Sequence, residues 1–457
     1  MWEFQKDATM TFKRSGGKKL SIEQSQFDDP RNYFWFEALE PGSTVKFTKN
    51  GAQRQIYYSL DDKHTWNLWD QNTEITLENT GDRVYMYAMT DYTYNYDTNH
   101  FTTGTGTLAC GGDILYMMNK HEGTMKNNQF SYFFSGMKNL VDASEIIFPD
   151  YVSEYCYFRM FYSCTGLKTP PKKLPAITLE RNCYGSMFYM CSSLETAPEM
   201  DFIYTAYQSC NGMFLSCKAL KEPPVFHNVD AQYGSFGTCF NGCSSLEYAP
   251  ELPATELYES CYFQMFLDCP NLKTAPETLP ATTLANDCYH GMFQGCELLE
   301  NAPALPALDV PKDAYNYMFK DCVSLTGDII LPATHVGESG YYGMFLNSKI
   351  TSAEIHATSW DATTGRYGAF RGMFQNCASL SSINVYFPSW PEYNDIAGWV
   401  SGVAAEGDFY KFSDLPCSVD DNGIAITGES PSYTGTNKIP VGWRVNSAER
   451  DGIEAHT

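Results

Sequence analysis

Apolar residues in the middle of this chain follow a long period. An aromatic, usually the second residue of a Met-Phe pair, returns every 26 to 29 residues at Phe134, Phe161, Phe188, Phe214, Phe240, Phe266, Phe293, Phe319, Phe345 and Phe374. Three places after most of these stands a cysteine: Cys164, Cys191, Cys217, Cys243, Cys269, Cys296, Cys322 and Cys377. Six places after comes a leucine, from Leu140 to Leu380, shifted by one near Ile350. One supersecondary unit cannot bury its apolar face alone, so a fixed period of this length predicts stacked copies, a solenoid of about ten coils. Within a copy such as 183–191, apolar residues fall at offsets of four and three, which predicts a short helix or helical turn. The stretch from Leu194 to Pro198 then predicts a short strand, and the Leu-Pro-Ala tripeptides predict turns.

The flanks have a different texture. Residues 31–109 alternate apolar and polar between Pro41-Gly42, Asn50-Gly51, Asp61-Asp62 and Thr80-Gly81, which predicts a small all-β sandwich with Trp66 and Trp69 in its core. Residues 1–30 are polar and predict an arm for attachment, with one strand near Met10 to Lys13. Residues 384–457 leave the period, and Trp390, Trp399, Phe409, Tyr410 and Trp443 predict an aromatic cap over the last coil. The expected domains are therefore 1–30, 31–109, 110–383 and 384–457, and the expected class is an α/β repeat solenoid between a sandwich and a cap.

Sixteen cysteines could form a disulfide framework, but fourteen lie between residues 156 and 377, mostly at two repeat positions. A residue type confined to one repeat position stacks on its own copies, so these predict buried, reduced thiols. There is no Cys-x-x-Cys pair, and the eight histidines are scattered, so no metal site is expected. No cofactor is expected either: the chain carries no phosphate-binding glycine loop, zinc-protease motif or nucleophile elbow. Asp420-Asp421-Asn422-Gly423 lacks the ligand series of a calcium loop and predicts a turn. The net charge of −23 opposes nucleic-acid binding, which needs clustered cations. No run of 18 apolar residues is present and the N-terminus has no apolar leader, so neither membrane insertion nor export by its own signal is expected.

Candidate binding residues come from positions that vary between copies. Four places before the anchor Phe runs an aromatic row (Phe130, Tyr157, Tyr184, Phe236, Tyr262, Tyr289, Tyr315, Tyr341, Phe370), read as a ladder inside the coil, with sugar stacking as the alternative. The next two places change without pattern. Regular positions build the coil and irregular ones face out, so Phe158, Arg159, Phe263, Gln264, His290, Asn316, Tyr317 and Arg371 are the expected binding residues.

The unit C-Y-x-x-M-F-x-x-C-x-x-L-x-x-A-P-x-L-P-A resembles the leucine-rich repeats of the BspA-like family. Cys261 to Leu272 and Cys288 to Leu299 match it nearly residue for residue, and the similarity spans roughly residues 30 to 445. Two departures, Cys239 before Phe240 and Ser348 in place of cysteine, predict slightly irregular coils there. The resemblance implies a non-enzymatic recognition protein. Family members include secreted adhesins, and similar repeats occur in phage proteins resembling tail or fibre parts. Lacking a leader, this chain is expected on a phage virion, with a bacterial surface adhesin as the alternative and a glycan-active enzyme as the third reading. The implied partners are other virion proteins, through the arm and sandwich, and a bacterial surface glycan or protein. A homo-oligomer is also implied.

Overall fold

The alternating segments after residue 31 pair into two facing sheets. A six-stranded sheet runs in the order Leu140–Ile147, Leu108–Asp113, Phe34–Ala38, Arg83–Ala88, Ile56–Ser59, Asn67–Leu68. A three-stranded sheet runs Glu74–Leu77, Ser43–Lys49, Asn99–Thr102. Every second residue points inward, and Phe34, Phe36, Val84 and Met86 meet Val45, Phe47, Ile75 and Phe101. Trp69 joins this core, its indole N–H donating to the Thr73 carbonyl at 2.9 Å. Trp66 does not: it lies half-buried against Tyr33 and Tyr87. This computed structural model describes residues 9–13, 19–23, 33–49, 55–69, 73–89, 99–118, 125–361, 367–412, 415–426 and 438–448. In the arm, Thr9–Lys13 pairs antiparallel with Lys19–Glu23, and the rest of 1–30 lies outside the described residues.

The expected helix of each copy is not there. The described residues hold one four-residue α-helix, Tyr393–Ile396, and one 3-10 helix, Ile114–Met117, and strands dominate the rest. In place of a helix each copy makes a run of overlapping β-turns. Around Phe188, the amides of Gly185, Met187, Tyr189 and Cys191 donate to the carbonyls of Asn182, Tyr184, Ser186 and Phe188, at 2.9–3.2 Å. The alternate amides, of Tyr184, Ser186, Phe188 and Met190, donate instead to Ser209, Asn211, Met213 and Leu215 of the next copy, at 2.8–2.9 Å. Half of these backbone donors thus close turns and half bind copy to copy, leaving none of them unpaired. Every fourth residue sits at positive φ (Asn182, Ser186, Met190), and the same places recur in the neighbouring copies. The ribbon therefore has a period of four: two residues face in, then two face out.

The inward pairs build the core of this sheet-rich repeat fold. Consecutive anchor rings stack at 5.2–5.9 Å from Phe134 to Phe374. Phe240 is as regular as the others, at 5.4 Å on both sides, against the expectation of irregularity there. Each fully buried ring contributes about 1.5–3 kcal/mol of burial. The aromatic row four places earlier is buried too, and its rings stack at 5.5–6.0 Å wherever two flat neighbours meet. At the copy of Phe214 that row is broken by Cys210, and Phe202 and Phe226 pack against Phe236 in the gap.

All sixteen cysteines are free thiols, fifteen buried and Cys417 half-buried. Those after the anchors form a row of their own. Each thiol from Cys164 to Cys322, and Cys377, donates to the carbonyl of the anchor Phe one copy earlier, at 2.9–3.2 Å. Ser348 fills the same buried place, with its hydroxyl 3.4 Å from Cys377 Sγ.

Strand pairing runs across residues 109 and 383. Leu108–Asp113 spans the boundary at 109 and pairs parallel with Leu140–Ile147 of the first copy, while Phe34 and Phe101 stack on Phe134. At the other end Ser382–Val385, Asp408–Phe412 and Arg444–Ala448 continue one parallel sheet past residue 383. There, Trp399 and Val400 occupy the Met and Phe places of an eleventh, degenerate copy, bonded to the tenth from Phe374 N–H to Trp399 O at 2.7 Å. Trp399, Phe409 and Trp443 are fully buried, whereas Tyr410 is 37% exposed and faces away from the cap expected to enclose it.

Candidate recognition surface

The outward pairs of the ribbon are the places that vary. The second residue before each anchor has positive φ in all eleven copies: Tyr132, Arg159, Ser186, Gly212, Thr238, Gln264, Gly291, Tyr317, Gly343, Gly372 and Gly398. A side chain in this left-handed region crowds its own carbonyl, at about 1–2 kcal/mol per residue. Glycine avoids that strain, and five copies use it. Four copies carry a large residue there instead: Tyr132, Arg159, Gln264 and Tyr317. Strained conformations of bulky residues collect at functional sites, where the surrounding structure over-determines them.

Three clusters form around these residues. In the first, the Arg159 guanidinium lies 5.7, 5.1 and 5.4 Å from the rings of Tyr132, Phe158 and Tyr162, and donates to the Tyr132 hydroxyl at 2.9 Å. The Arg159 Nε is buried and has no hydrogen-bond partner. This cluster continues through Tyr155 to Arg181, whose guanidinium covers the Tyr207 ring at 4.9 Å, and then to Tyr233, parallel to Tyr207 at 4.8 Å. In the second, Phe263 lies 4.9 Å from His290, and the Gln264 side chain lies over Gly291. In the third, Tyr317, Tyr342, Arg371, Gln375 and Tyr393 line an open cavity of about 350 Å³. Gly343 makes room for it: a Cβ there would come within 2.5 Å of the Tyr317 ring. Burial and the hydrogen bond with Tyr342 raise the Tyr317 pKa, and the positive charge of Arg371 opposes that rise.

Of the expected binding residues, Phe158 and Arg159 therefore meet, as do Phe263, Gln264 and His290, and as do Tyr317 and Arg371. Asn316 joins none of these clusters: it is 7% exposed, and its amide donates to Asp313 Oδ1 at 2.7 Å. Sequence reasoning missed Tyr132, Tyr155, Tyr162, Arg181, Tyr207, Tyr233, Tyr342 and Tyr393. A period of four would have placed most of them, because the sixth and seventh places before each anchor and the first and second after it share the outward face.

A larger cavity, about 440 Å³, opens among the proline corners, with Glu277 and Asp328 at its edge and Phe319 and Phe345 at its base. It is bounded by positions that repeat, so the smaller cavity is the better recognition candidate. Among the described residues, the carboxylates with displaced pKa are Asp61, Asp62 and Asp420, all lowered in exposed turns. For Asp420 the cause is the backbone amides of Ile424 and Asn422, bonded at 2.9 and 2.8 Å in the expected turn. Among the described residues no three His, Cys, Asp or Glu side chains are placed to hold a metal ion, and no helix is long and apolar enough to cross a membrane. No protein-family model matches this chain, and no curated protein matches its sequence.

Proposed function

We propose that this chain is a structural and recognition protein of a phage virion, a tail or fibre component. Its stacked copies form a leucine-rich solenoid whose varying face engages a glycan or protein of the bacterial surface. The observation that carries the recognition reading is the shared left-handed position. Eleven copies need the same strained backbone there, and four keep a large residue in spite of it, three of which, Tyr132, Arg159 and Tyr317, lie beside other arginine or tyrosine side chains. Stability alone favours glycine at such a place. The virion placement rests on the resemblance of the repeat to those of phage-encoded proteins. On this reading the arm and sandwich attach to other virion proteins, and several copies assemble symmetrically, so that weak contacts add up.

Gold-labelled antibody against residues 125–361, imaged on purified phage particles, tests the placement. Label on the tail or its fibres is the expected result. Label on bacterial cells with clean particles would overturn the virion reading and support a surface adhesin.

A further inference from the structure

With the outward face read as a recognition surface, on which the ligand assignment rests, its first cluster narrows the ligand class. Tyr132, Tyr155, Arg159, Arg181, Tyr207 and Tyr233 belong to five consecutive copies and form one continuous stripe on that face. Rings and guanidinium groups alternate along it, linked at 5.7 Å (Tyr132 to Arg159), 5.8 Å (Tyr155 to Arg181), 4.9 Å (Arg181 to Tyr207) and 4.8 Å (Tyr207 to Tyr233). Tyr207 and Tyr233 keep 41% and 37% of their surface in contact with solvent.

The charges on this stripe are unusual for the chain. Acidic residues outnumber Lys and Arg by 54 to 31, so a surface arginine has carboxylates to choose from. Arg83 takes one, Glu37, but neither Arg159 nor Arg181 is ion-paired to any described residue. Both are instead held by aromatic faces, which fix the planar fork, and one Arg159 N–H is taken by the Tyr132 hydroxyl. A pre-oriented guanidinium with free donors matches a carboxylate, which it binds through two parallel hydrogen bonds. Beside Arg181, the rings of Tyr207 and Tyr233 stack on each other and leave their exposed parts as amphipathic surface against which a sugar ring can lie. Neighbouring copies present their rings at close spacing, 5.2–5.5 Å between the buried anchors and 4.8 Å between Tyr207 and Tyr233 on the stripe. The overall charge of −23 repels any polyanion, so a glycan with spaced carboxylates fits two arginines better than a polymer charged at every unit.

We infer that this stripe binds an acidic polysaccharide of the bacterial envelope, with Arg159 and Arg181 taking sugar carboxylates and the exposed parts of Tyr207 and Tyr233 lying against a neighbouring sugar.

The test applies the full-length chain to an array of uronate- and sialate-bearing glycans, their carboxyl-reduced counterparts and neutral polysaccharides. Binding to acidic members is expected, weakened about tenfold or more by carboxyl reduction and by R159Q or R181Q, as for a lost charge-assisted bond. Arg159→Lys, which keeps the charge and loses the fork, is expected to recover only part of it. K168Q removes an exposed charge outside the turn segment and is expected to leave binding unchanged. Thermal unfolding of each variant at the wild-type temperature shows that the fold survives. Binding to neutral members alone, or acidic binding that ignores both arginine substitutions, would overturn the assignment. If the chain binds host cells but no acidic glycan, the recognition reading stands and the acidic-glycan assignment falls. If it binds neither, both fall.

Discussion

At the scale of the residue, the cysteine after each anchor shows how one side chain serves two needs. It fills the small space between stacked phenylalanines, and its S–H gives a second bond to an anchor carbonyl that already accepts the turn amide three residues on. Burial pushes these thiols up, to about 12 at Cys164 and Cys269, and does the same to the row before the anchors at Cys156, Cys210 and Cys288, so both rows stay protonated and unreactive at neutral pH. A chromogenic aromatic disulfide is therefore expected to titrate one thiol in the native chain, the half-buried Cys417, and none in Cys417→Ser. After unfolding, all sixteen should react. Fast native labelling of several thiols would show that the row is open. The burial of these cysteines was legible in the sequence because they recur at one position. Their carbonyl partners were not, since nothing in a sequence says which backbone oxygen a buried thiol meets.

At the scale of the element, the turn ribbon imitates a helix in sequence for a definable reason. Over nine residues, such as 183–191, a period of four and a period of 3.6 place apolar residues almost identically. What separates them is the left-handed residue at every fourth place. Asn182, Ser186 and Asp268 suit that conformation, but they are also ordinary surface residues, so the signal is weak in one copy and visible only when copies are aligned. The sandwich was legible because its strands alternate strictly. Its fusion to the first copy was not, because parallel pairing of Leu108–Asp113 with Leu140–Ile147 joins segments with no shared motif. One strand of the sandwich also carries a pH response. His100, in Asn99–Thr102, has a buried Nδ1 without a partner, and burial lowers its pKa below the ordinary 6.5. Below pH 6.5 the unfolded chain binds a proton that the folded chain resists, so stability falls with pH from there until the folded pKa is passed. Thermal unfolding between about pH 5 and 8 should show this decline, and His100→Gln should flatten it. Equal slopes in the two proteins would remove His100 as the cause.

At the scale of the whole molecule, core and surface divide cleanly along the repeat. Positions that recur are buried and carry the stacking. Positions that vary face out and gather into three clusters of aromatic, arginine and amide groups. The expectation that variable places bind is what the sequence offered, and seven of its eight residues do lie in those clusters. The eighth, Asn316, is 7% exposed and bonds Asp313 on its own turn. The tyrosines and Arg181 that complete the clusters were hidden behind the wrong period. The central claim is that this outward face recognises a bacterial surface. The most direct measurement is the binding of the labelled full-length chain to intact host cells, for wild type and for Phe263→Ala combined with Tyr317→Ala, with thermal unfolding as the control for folding. The account predicts saturable binding by the wild type and a loss of about tenfold or more in the double variant, since buried aromatic anchors dominate recognition surfaces. Undiminished binding by a well-folded double variant would contradict it.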